Sequence, residues 1–130
     1  MTQAEVEAFA SPLLRVRRGD DPPVLRLAGE ADFSNRGELE AILSAVLGGA
    51  GERLSQSVLI DARELVFLDA GSAHMLVRLA RSASAPVRIV DCSTVVLRVF
   101  GMVGADQAPR LTLVAAAGSE AAGRPSEAAS

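Results

Sequence analysis

"VFLDAGSAHML", residues 66–76, decides how this chain is read. An apolar run ends in Asp69, three small residues follow (Ala70, Gly71 and Ser72), and then a helical pattern begins. Such a junction hands a strand over to a helix and presents a short side chain at the helix N-terminus. The residue presented is an alanine. The helix is expected over about 70–84, with Pro86 stopping it. Successive helical residues turn by about 100°. Ala73, Leu76, Leu79, Ala80 and Ala83 therefore share the side of Ser72, which should face the core. His74, Arg78 and Arg81 cluster near Ala70 on the other, solvated side.

The segments on either side of this junction give the fold class. "SVLIDA" (57–62) is a continuous apolar run of strand length, and "ELVFL" (64–68) leads from it into the junction. Upstream, "LLRVRRGDD" (13–21) reads as a strand entering a turn. "VLRLAGEAD" (24–32) reads as a strand that breaks at Gly29. Leu39, Ile42, Leu43, Val46 and Leu47 make one helical face, with Ser34 or Asn35 as its cap, Glu38 three residues after Asn35, and Gly48-Gly49 as its end. Downstream come a strand "VRIVD" (87–91), a helix capped by Ser93 that carries Val96, Leu97, Val99 and Phe100, and a last strand "LTLV" (111–114). Strands alternating with three helices predict an α/β domain with a small, mixed, mostly parallel sheet and helices packed along it. Residues 1–12 read as an N-terminal leader closed by Pro12, 13–114 as the domain, and 115–130, small and aperiodic, as a disordered tail.

Composition narrows the function. The chain has 130 residues, 49% of them apolar, enough for one core. A net charge of -3, with four Phe and no Trp or Tyr, argues against nucleic acid as a partner. Cys92 is the only cysteine, so no intrachain disulfide forms and a reducing cytoplasm is the expected setting. No secretory signal is evident and no segment has the length of a membrane span.

Three segments, in this order and spacing, resemble the STAS domain of bacterial anti-sigma-factor antagonists. They are "LRLAGEAD" (25–32), "VLIDARELVFLDAGS" (58–72) and "VRIVDCSTVVLRVFGMVGAD" (87–106). The resemblance implies a non-enzymatic regulatory module that binds an anti-sigma factor, itself a serine kinase of the histidine-kinase-like ATPase type. Phosphorylation at the start of the second helix would end that binding. In the family the phosphorylated Ser or Thr directly follows the junction aspartate; here that position is Ala70. Ser72 is the remaining candidate, but its inward direction on the helical wheel argues against it. The expectation is an antagonist-like domain without the phosphoswitch. A sensor or scaffold module that binds a different signalling protein or a small ligand is the alternative.

The implied partner face combines Asp32, Ser34, Asn35 and Arg36 with Asp69, Ala70, His74, Arg78 and Arg81. Asp32 suits either that surface or a helix-dipole charge. Asp69 suits a helix cap, offering its carboxylate to the amide of Gly71 or Ser72. Asp32, Asp61, Asp69 and Asp91 each follow a predicted strand, an acidic rim better explained by caps and turns than by a metal. Cys92 and His74 lie in separate elements with no catalytic or zinc spacing between them, and no glycine-rich phosphate loop is present. No enzyme activity, metal or other cofactor is expected, and a nucleotide would need a basic, glycine-lined pocket of which the sequence gives no sign.

Overall fold

The structure, a computed structural model, describes residues 5–20, 22–48 and 57–117. Six strands and three helices follow one another: β1 (Val6–Ala10), β2 (Leu14–Asp20), β3 (Pro23–Ala31), α1 (Arg36–Gly48), β4 (Val58–Leu68), α2 (Ala70–Arg81), β5 (Val87–Cys92), α3 (Thr94–Met102) and β6 (Leu111–Ala115). A short 3-10 turn over Ala105–Gln107 precedes β6. The strands lie side by side in chain order. β1, β2 and β3 pair antiparallel, and β3 to β6 pair parallel.

That order decides where the helices go. Each parallel pair is joined by a crossover, and all three crossovers step in the same direction across the sheet. Right-handed connections then put α1, α2 and α3 on a single face. α2 packs between the other two. Strand residues alternate accordingly. Leu14 and Val16, Leu25 and Leu27, Ile60 and Ala62, and Val87 and Ile89 are buried beneath the helices. Arg15, Arg17, Arg26, Arg63 and Arg88 point the other way and are exposed. Phe100, Leu39, Leu43 and Leu76 close the core from the helix side; burying each such side chain stabilises by about 1.5–3 kcal/mol.

Four expectations are corrected. Residues 6–10, read as part of a leader, form β1 and pair with β2, from Val6 opposite Arg18 to Ala10 opposite Arg15. β3 does not break at Gly29. It runs on through Gly29, which has φ +105 and the Leu13 carbonyl oxygen 2.0 Å from where a Cβ would sit, so only glycine fits. Residues 57–62 and 64–68 are not two segments: β4 is one strand of 11 residues whose pairing with β3 shifts twice. Asp61 consequently lies in mid-strand on the helix-free face, where it accepts a hydrogen bond from the Arg26 guanidinium, and not at the strand's end. Residues 1–4, Gly49, Gly51 and the tail from residue 118 lie outside the described residues.

Candidate functional site

The C-terminal ends of the parallel strands feed straight into the helices, so the starts of α1 and α2 meet at one rim. The α2 start is built as the sequence predicts. Asp69 has extended backbone, and its Oδ1 accepts from the Ser72 amide at 2.8 Å. Burial pushes the Asp69 carboxyl up, but the hydrogen bonds from Ser72 and the charge and hydrogen bond of Arg36 outweigh it and hold the group below its ordinary value.

Arg36, in the first turn of α1, spans the gap between the two helices. Its Nη2 donates to Asp69 Oδ2 at 2.9 Å and its Nε to Ser72 Oγ at 3.2 Å. The guanidinium lies over Gly71: a Cβ there would come within 2.5 Å of it. Glycine at 71 is therefore what lets the arginine cross. One turn further along, Arg78 Nη2 donates to Glu40 Oε2 at 3.0 Å and ties the helices a second time.

Ser72 is fully buried, as its place on the helical wheel implies, and its hydroxyl is engaged by Arg36. Ala70 is exposed beside it, as are His74 and Arg81. A shallow groove of about 200 Å³ between α2 and the end of α3, lined by His74, Val77, Arg78, Arg81 and Val103, continues this stripe. Met75 and Val77, for which the wheel gave no place, join the core.

The loop entering α1 differs from expectation. Asn35 is buried, and its side chain caps no helix amide. Its Oδ1 accepts from the Asp32 amide and its Nδ2 donates to the Glu30 carbonyl, each at 3.0 Å. Asp32 Oδ1 accepts from the Ser34 amide at 2.9 Å and the Ser34 hydroxyl at 2.6 Å. These three residues shape the loop, with Asn35 inside it and Ser34 exposed. The loop's tip is Phe33, which sequence reasoning passed over. It is 82% exposed, and the Arg36 guanidinium stands 5.6 Å from its ring centroid. An aromatic placed among Asp, Ser and Asn in "EADFSNR" was the available signal, since a loop with no core to fill has no structural use for it. Beside this loop, Glu30 pairs in register with the partly exposed Phe67.

The remaining candidates settle into structural roles. Cys92 is buried with its Sγ 3.5 Å from the Ile89 carbonyl oxygen, and burial pushes its thiol up to about 11, far from a reactive thiolate. Asp91, the last residue but one of β5, has φ +58 and reaches Arg63 at 3.8 Å. Among the described residues no group of three His, Cys, Asp or Glu side chains is placed to hold a metal ion, and no helix is long and apolar enough to cross a membrane.

A sequentially ordered sheet with one helical layer, and a cap aspartate at a strand–helix junction that offers a small exposed residue, define a STAS-type domain. Residues 14–115 match the family described as "Mlab, STAS domain", and the chain belongs to that family. No curated protein matches the chain. STAS domains are generally binding and regulatory modules that act through protein–protein contacts, often as anti-sigma-factor antagonists.

Proposed function

We propose that this domain binds a partner protein through the rim formed by the starts of α1 and α2, and that no phosphorylation switch controls it. The partner class we infer is an anti-sigma factor of the histidine-kinase-like ATPase type. The observation that carries the reading is the pair Ala70 and Ser72. The exposed position after the cap has no hydroxyl, and the next hydroxyl along the helix is fully buried beneath Arg36. A kinase has nothing to reach at the first position. At the second, a phosphate of about -1.5 to -2 charge would have to displace the Arg36 guanidinium from a packed helix start. The contact surface on this reading centres on Phe33, Ser34, Ala70, His74 and Arg81. Arg36 and Asp69 set its shape from below, while Asp32 and Asn35 hold the loop. Arg78 is paired with Glu40, so Arg78→Glu would set two acids against each other and disturb the helix pair as well as any contact.

The test is a pull-down of the full chain from native lysate with and without ATP, repeated with Ala70→Ser and Ala70→Asp. The wild type should retain an ATPase of this type whether or not ATP is present. Ala70→Ser should make retention ATP-sensitive. Ala70→Asp should weaken retention at least tenfold, a loss of about 1.4 kcal/mol or more, with the domain still folded. If no such ATPase is retained, the antagonist role fails and a different signalling partner for the same rim takes its place.

A further inference from the structure

The helix-free face of the sheet carries a second feature, separate from the rim and not dependent on its function. Arg15 and Arg17 from β2, Arg26 from β3 and Arg63 from β4 surround a cavity of about 300 Å³. Ala28 lies in its lining, and a residue this small leaves the depression open. Two acids, Asp61 and Glu64, share the lining, against four arginines.

Arg17 and Arg26 are directly opposite each other across the antiparallel β2–β3 pair. Like charges in that relation destabilise a sheet, but here each arginine has an acid in register on its other side, Glu7 beside Arg17 and Asp61 beside Arg26. Arg26 is held by Asp61 and by Glu5, 2.9 Å away, and Arg15 by Glu7 at 3.2 Å. Arg17 has no ion-pair partner among the described residues. The β4 bulge adds to the arrangement. Arg26 is opposite Asp61 but Ala28 is opposite Glu64, so two β4 residues face one of β3, and Arg63 and Glu64 both turn to this face. Asp61 is almost fully buried and accepts from the Arg63 amide at 2.9 Å as well as from Arg26, which fixes one guanidinium at the floor.

We propose that this cavity is a binding site for a small oxyanion of the phosphate class, with Arg17 as its principal free ligand and Arg15, Arg26 and Arg63 around it. Guanidinium forks match phosphate oxygens two at a time, which ammonium groups do not. The volume suits a phosphate or a small phosphate monoester. Bound phosphate would give the Arg17 guanidinium an ion-pair partner. The net charge of -3 sets this compact site apart from the broad basic surface that a nucleic acid backbone needs.

The full chain is titrated with inorganic phosphate and, separately, with glycerol 3-phosphate. Sodium chloride at matched ionic strength and neutral glycerol are the controls, and amide shifts are followed by NMR. Saturable shifts at residues 15–17, 26–28 and 61–64, absent with the controls, are expected. Equal affinity for the two probes assigns inorganic phosphate, and tighter glycerol 3-phosphate assigns a monoester. Arg17→Ala changes an exposed side chain, so the domain stays folded, and affinity should fall about tenfold or more. Arg88→Ala, on the same face outside the cavity, should leave affinity unchanged. The proposal is overturned if neither probe saturates, if Arg88→Ala weakens binding as much as Arg17→Ala, or if an acidic peptide binds here while both phosphates fail.

Discussion

Helices α2 and α3 begin alike. Asp69 and Ser93 both have extended backbone, and each takes the amide three residues ahead, Ser72 at 2.8 Å and Val96 at 3.2 Å. Beyond that they diverge. The Ser93 hydroxyl serves its own helix, and the exposed residues after it, Thr94 and Val95, take no side-chain hydrogen bond or ion pair from another helix among the described residues. Asp69 uses its second oxygen on Arg36, and through Arg36 the start of α2 is bonded to the start of α1. One cap ends a strand and starts a helix. The other also makes two helix starts into a single platform, with Phe33 and Ala70 at its surface and Ser72 locked beneath.

The largest expected break in this comparison comes from Ser72. Ser72→Glu forces a larger, charged side chain into a fully buried position beside the Asp69 carboxylate, and should cost at least about 3 kcal/mol by urea denaturation. The same substitution at an exposed residue of the other helix start, Val95→Glu, two residues after its cap, should change stability by no more than about 0.5 kcal/mol. Equal losses would mean that Ser72 is no more enclosed than an exposed residue of the first turn, and the platform would lose its basis.

Removing the caps themselves gives a smaller contrast. Ser93→Ala should cost about 1 kcal/mol, the usual loss of one side-chain cap. Asp69→Ala should cost about 2 kcal/mol, because the cap goes and the half-buried Arg36 loses its charged partner as well. The double variant Asp69→Ala, Arg36→Ala should then lose less than the sum of its parts, since the two residues share one interaction. Strict additivity in that cycle would show that the Arg36 bridge contributes nothing.

Much of this is legible in the sequence alone. Period and punctuation revealed the three helices, the parallel strands and the inward direction of Ser72, because a 3.6-residue repeat carries that information locally. Both caps were readable for the same reason: a short polar residue at a strand–helix junction has few other uses. What escaped reading depends on contacts far apart in sequence. Nothing near Val6 shows that it pairs with Arg18, and Gly29 looks like a break until the Leu13 carbonyl is seen pressed against it. Asn35 looks like a cap because caps are made of such residues; that its amide turns back to Glu30 is decided by the loop's path. The four arginines around the cavity of the open face come from three strands, so only the register brings them together.

The smallest effect we predict concerns acid. The Asp69 carboxyl lies below its ordinary value of 3.8 in the folded domain, so its charged form stabilises the fold. That contribution is fully present above the unfolded value and is lost as pH falls through the lower, folded one. Asp69→Asn keeps a capping oxygen but carries no charge. The stability gap between wild type and this variant should therefore be widest near neutral pH, hold down to about pH 4, and close as the solution becomes more acidic. Ser93→Ala removes no titrating group, and its gap from the wild type should stay constant over the same range. Urea midpoints measured from pH 7 to pH 2.5 check both curves. Parallel curves for the two variants would mean that the Asp69 charge, and with it the Arg36 pairing, does nothing to distinguish the start of α2 from that of α3.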